Sequence, residues 1–112
     1  MKPKKLIREF ITSKLQHGEW ETVTNQDELN KLYAIKVKEE LVEIQDSEHK
    51  DIMEFVDLIQ VAYSFAEQNG FTKTKIIEAM NKKSVEKGNF GRLVLNNLNP
   101  ENPSNKIYFQ NL

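Results

Sequence analysis

The stretch KEELVEI, Lys38 to Ile44, decides how this chain is read. Around it Leu29, Leu32, Tyr33, Val37, Leu41 and Ile44 recur at helical spacing, which predicts a helix over about 26–46. On that helix two carboxylates point the wrong way. With Leu29 as zero and 100° per residue, Glu40 falls at roughly 20° and Glu43 at roughly −40°, inside a sector bounded by Leu32 at about −60° and Val37 at about 80°. Both acids therefore share the apolar stripe that should face a core. Asn25 or Thr24 can cap this helix, and Asp27 and Glu28 suit the positive end of its dipole.

Downstream, QDSEHK breaks the pattern and a second long helix is predicted over about 48–69, ended by Asn69-Gly70. Ile52, Phe55, Val56, Ile59, Ala62, Tyr63 and Ala66 form a continuous stripe that reads as core. Met53, Leu58, Val61 and Phe65 make the opposite side apolar too, and a helix apolar all round is buried on both sides. In a chain this short the second side implies a partner subunit. Glu54 and Asp57 lie on that second side, three residues apart like Glu40 and Glu43. Upstream, KKLIREFITSKL carries Leu6, Ile7, Phe10, Ile11 and Leu15 at helical spacing and reads as a short helix or arm ending near His17-Gly18. Trp20 in the following turn reads as a packing residue, and His17 and His49 as surface residues. A further helix is expected over about 72–87, capped by Thr72, with Ile76, Ile77 and Met80 on its buried side. The tail from Gly88 holds a β-prone run, RLVL, then Asn- and Pro-rich sequence, with 98–112 expected to be extended and IYFQ to dock as an apolar latch.

The fold expected is thus all-α: a single domain over 1–112, built as a small antiparallel bundle of about four helices with an extended C-terminal tail. With 112 residues the chain is long enough for one modest core. The three prolines, Pro3, Pro100 and Pro103, leave the middle free of helix breakers. A net charge of −1 gives no footprint for a nucleic-acid polymer or a membrane surface. The absence of cysteine excludes a disulfide framework and thiolate metal sites, and fits the cytoplasm. No signal-like or membrane-spanning run is visible, so a soluble, unprocessed chain is expected.

A short turn between the two long helices makes them antiparallel, and their facing sides can bring Glu40, Glu43, Glu54 and Asp57 together, with Glu39 at the margin. Isolated ionised carboxylates in an apolar setting would cost on the order of tens of kcal/mol by Born solvation, so a cation is expected there. Oxygen ligands without cysteine or paired histidine select a hard divalent ion, Mg²⁺ or Mn²⁺. Set against this, glutamate pairs at i,i+3 commonly mark a solvated helix face, and the lysines near 82–87 by themselves read as a wet face.

These residues together resemble the MazG-like all-α nucleoside triphosphate pyrophosphohydrolase superfamily, especially members similar to phosphoribosyl-ATP pyrophosphohydrolase. The family's acidic signature is matched by EELVE (Glu39, Glu40, Glu43) and EFVD (Glu54, Asp57), its N-terminal element by KLIREF, and a later element by KKSVEKGNF, Lys82 to Phe90. The spacer between Glu43 and Glu54 is shorter than is usual there, and Glu9 stands where aspartate is usual. The resemblance implies a Mg²⁺-dependent hydrolase that splits a nucleotide between its α and β phosphates, giving a monophosphate and pyrophosphate, in a housecleaning role. It implies metal ligation by Glu40, Glu43, Glu54 and Asp57, and a water oriented or deprotonated by Glu39 or a carboxylate not fully engaged by metal. Lys82, Lys83, Arg8 and Arg92 become candidates for holding phosphate oxygens. A homodimer or dimer-based homotetramer is implied as well. The alternatives are the phosphoribosyl-ATP reaction of histidine biosynthesis and, from another class, a catalytically silent helical interaction module.

Overall fold

The Asn25 side chain accepts a hydrogen bond from the Glu28 amide at 2.9 Å and so starts α1 (Gln26–Asp46) at the predicted residue. The computed structural model describes residues 3–110 and is all-helical among them. After α1 come α2 (Ile52–Gln68), α3 (Lys73–Lys87) and α4 (Lys106–Gln110), with 3₁₀ turns at Glu9–Lys14 and Pro103–Asn105. The chain forms two compact units, one up to Ala79 and one from Met80 onward, with α3 crossing the boundary. No described helix is long and apolar enough to cross a membrane.

In the first unit α1 and α2 form the main packed pair. The turn between them is longer than predicted, because Glu48 and His49 both adopt left-handed backbone angles, φ 57° and 62°. There the His49 amide donates to the Ile44 carbonyl at 3.1 Å, which closes α1 with the bond pattern of a Schellman end. Asp51 then caps α2 by accepting from the Met53 amide at 2.9 Å. The helices run antiparallel, since the Asn69 side chain at the end of α2 donates to Asn30 Oδ1 near the start of α1 at 3.0 Å. Tyr33 stacks on Phe65 with ring centroids 5.1 Å apart, and burial raises the Tyr33 phenol above its usual range.

The burial of α2 departs from expectation. The stripe that reads as core is divided: Ile52 is 73% exposed and Ile59 53%, with Phe55 and Ala62 exposed beside them, while Val56, Tyr63 and Ala66 are half-buried. On the side carrying Glu54 and Asp57, Leu58, Val61 and Phe65 are half-buried with the two acids, and Met53 is exposed. Both sides carry large apolar residues, and periodicity alone does not say which of two such faces turns inward. On α1, Ile44 is the buried hydrophobic residue, while Leu41 of the predicted stripe is exposed.

The N-terminal segment forms a single 3₁₀ stretch, Glu9–Lys14, rather than a helix over the whole of KKLIREFITSKL. Two hydroxyls compete with the helical ladder there: Thr12 Oγ1 donates to the Glu9 carbonyl at 2.8 Å and Ser13 Oγ to the Phe10 carbonyl at 2.9 Å. Its apolar side chains are largely unburied, Phe10 at 86% exposure and Ile7 and Ile11 also exposed. Trp20, expected to pack, is about half exposed. At the other end of the unit Gly70, with φ 92°, lets the Phe71 amide reach the Ala66 carbonyl at 3.1 Å, and Thr72 Oγ1 accepts from the Lys75 amide at 3.2 Å to start α3. Lys73 Nζ lies 5.2 Å from the centre of the Tyr63 ring.

In the second unit RLVL is irregular and exposed, not a strand; a lone short strand has no ladder to join. The tail is not wholly extended either. Asn102 Oδ1 accepts from the Ser104 amide at 3.0 Å, starting the 3₁₀ turn Pro103–Asn105, and α4 follows directly. Asn105 Nδ2 donates back to the Asn99 carbonyl at 3.0 Å. The residues at 111–112 of the expected extended tail lie outside those described.

Candidate metal centre

One helical turn separates Glu40 from Glu43 on α1, and one separates Glu54 from Asp57 on α2, so each helix presents its pair to the same side. The hairpin turn brings the two pairs face to face. One carboxylate oxygen from each of Glu40, Glu43, Glu54 and Asp57 lies within 4.8 Å of every other. Glu40 is the most buried of the four at 4% exposure, and the other three are half-buried. This is the grouping that the spacing of KEELVEI and EFVD anticipates.

The electrostatics at this point are unbalanced. Glu40 Oε2 and Glu54 Oε2 are buried without a hydrogen-bond partner. Burial first, and then the adjacent Glu43 carboxylate, raise the Glu40 carboxyl above the usual range. Glu54 is raised in the same direction by burial and by Glu43. Among the described residues the ion pairs reaching the four acids are Lys36 Nζ to Glu40 Oε1 at 3.5 Å and Arg8 Nη2 to Asp57 Oδ1 at 2.5 Å. Four acids with two cations at their edge leave a deficit of positive charge where the orphaned oxygens point. Oxygen-only donors at this mutual spacing, from side chains of one sign, suit a hard divalent cation.

Glu39 stands at the margin, as predicted, but it is already occupied. Lys5 Nζ meets its Oε1 at 2.8 Å and Lys36 Nζ its Oε2 at 3.1 Å. The Lys5 hydrogen bond is the main reason the Glu39 carboxyl is held below its usual range, and the same contact holds the Lys5 ammonium above its own. Lys36 has a signal in the sequence, since it precedes Glu39 by three residues and Glu40 by four on one helix. Lys5 and Gln60, which accepts from Arg8 at 2.7 Å, have none.

Of the predicted phosphate-holding residues, Arg8 is engaged with Asp57 and Gln60. Lys82, Lys83 and Arg92 belong to the second unit, are exposed, and form no ion pair among the described residues. Trp20 lines an open hollow beside the N-terminal arm, with Leu6, Leu29, Leu32 and Tyr33. Comparison with protein-family models, with curated proteins and with solved structures gave no match to this chain.

Proposed function

We propose that the chain is a divalent-cation-dependent nucleotide pyrophosphohydrolase, using Mg²⁺ or Mn²⁺ to cleave the α–β phosphoanhydride bond. The observation that carries this reading is the set of four facing carboxylates with a buried, unpartnered oxygen on Glu40. Glu40, Glu43, Glu54 and Asp57 would hold the cation. Bound there, it supplies positive charge for phosphate oxygens and acidifies an attacking water. Glu39 is the carboxylate left outside that set, and its favoured ionised form suits it to accept a hydrogen bond from the water once one of its two lysines gives way. Phosphate contacts from Lys82, Lys83 and Arg92 rest on the family resemblance alone.

The reading includes a second copy of the chain. Ile52, Phe55, Ile59 and Ala62 leave an apolar face on α2 opposite the acids, of the kind that subunit interfaces cover. The test is calorimetric titration with Mg²⁺ and Mn²⁺, followed by product analysis over a nucleotide panel that includes phosphoribosyl-ATP. Metal binding with pyrophosphate release is the expected result. Absence of both would leave an interaction module as the better description.

A further inference from the structure

The segment before α1 is tied to the helix pair by several ion pairs, while Ile7, Phe10 and Ile11 are exposed and Leu6, Leu15 and Val23 only half-buried. Lys4 Nζ reaches Glu28 at 3.0 Å, Lys5 reaches Glu39, and Arg8 reaches Asp57 and Gln60, while a second Lys4 pair, to Glu21 at 2.7 Å, stays within the segment. Backbone hydrogen bonds from this segment stay within it: Ile11 to Arg8, Leu15 to Thr12 and Glu19 to Gln16. Beneath it lies an open hollow of about 1160 Å³, lined by both the arm and the first half of α1. The arm therefore bridges a gap on a few ionic ties, and the two that land farthest along the hairpin end on Glu39 and Asp57.

We infer that this arm is a strap that the metal site itself releases: in the metal-free chain Arg8 pairs with Asp57 and Lys5 with the neighbouring Glu39, and a divalent cation entering the four-carboxylate group loosens the Arg8 tie and with it the arm. This rests on the metal-binding reading given above. Asp57 Oδ1 is within 2.5 Å of the Arg8 guanidinium, and Asp57 is one of the four acids. A doubly charged cation bound beside that carboxylate offsets much of the negative charge that attracts the guanidinium, and an exposed pair such as this one is weakly held to begin with, since Arg8 is mostly solvent-facing. With the Arg8 tie gone, Lys5 is the arm's remaining tie to this end of the hairpin. Lys5 and Lys36 hold different oxygens of Glu39, so departure of Lys5 leaves that carboxylate still paired through Oε2 and with Oε1 open. The same movement frees two cationic side chains at the mouth of the site, where an anionic ligand would meet them.

The strap makes metal binding and arm docking compete, and that is measurable without turnover. In the full-length chain, trypsin cleavage after Lys5 and Arg8, followed by mass spectrometry, should accelerate several-fold when Mg²⁺ is added to saturation. In calorimetry with Mg²⁺ alone, Arg8→Ala should bind roughly two- to fivefold more tightly than the parent chain, the range expected from removing one exposed ion pair. Unchanged or slower arm cleavage in a chain that demonstrably binds Mg²⁺ would overturn the strap and leave the metal site standing. So would equal or weaker Mg²⁺ affinity in Arg8→Ala. If neither chain binds Mg²⁺ or Mn²⁺, the metal reading fails and takes the strap with it.

Discussion

At the scale of single residues, the proposed metal role of Glu40 would set function against stability. Its carboxyl is raised by burial and by Glu43, so its charged form is disfavoured in the folded, metal-free chain. Glu40→Gln keeps the shape and removes the charge. The variant should lose Mg²⁺ binding and turnover, yet melt higher than the parent in chelator, by an amount on the order of 1 kcal/mol, because the buried charge is gone although a polar group stays in its place. A lower melting temperature for the variant would mean that the contact with Lys36 outweighs the buried charge.

The same groups fix the sign of the pH dependence. Raised carboxyls on Glu40 and Glu54 mean the native chain binds protons more tightly than the unfolded one, so metal-free stability falls as pH rises from the ordinary carboxylate range through the raised values. Glu39 works the other way: its lowered carboxyl contributes stability above the ordinary range, lost as pH falls through its folded value. On acidification from neutrality the melting temperature in chelator should first rise, then drop, and the rise should shrink in Glu40→Gln. A monotonic fall would show that the acid cluster is not a source of strain.

At the scale of elements, the α1–α2 turn is where backbone cost is concentrated. Glu48 and His49 hold successive left-handed angles without being glycine, which costs an L-residue roughly 1–2 kcal/mol. Glu48→Gly should therefore be neutral or stabilising by up to about 1 kcal/mol in denaturant melts, a reversal of the usual glycine penalty. The Glu48–Lys50 pair it removes is exposed and adds little. The element scale also shows what the residues disclosed in advance. The limits of α1 were legible because Asn25 caps it and the apolar period runs unbroken to Ile44. The start of α2 was not, since Glu48 and His49 are ordinary helix residues whose left-handed angles come from closing α1. The four acids were legible because i,i+3 pairs survive any shift of helix ends. The arm was opaque: its contacts come from Lys5 and Arg8 on irregular backbone, where no period relates position to neighbour.

At the scale of the whole molecule, two apolar sides on α2 could be told apart only by seeing which one α1 covers. The acids mark the inner side, against the usual rule that charge faces water. The outer side then argues for self-association. Ile59→Lys, placed at the exposed middle of that face, should shift sedimentation from dimer toward monomer while leaving the helical circular dichroism of the chain intact. An unchanged sedimentation coefficient, or a parent chain that is already monomeric at micromolar concentration, would remove α2 as an interface.

All four acids lie within about twenty residues of chain, on one hairpin closed by one short turn. Loop closure for such a unit is entropically cheap and fast compared with assembling ligands from distant parts of a fold. A cation captured by this hairpin would thus act early, as a nucleus for the chain's collapse. In stopped-flow measurements added Mg²⁺ should quicken refolding more than it slows unfolding, which ties the order in which the protein is built to the ion it would later use.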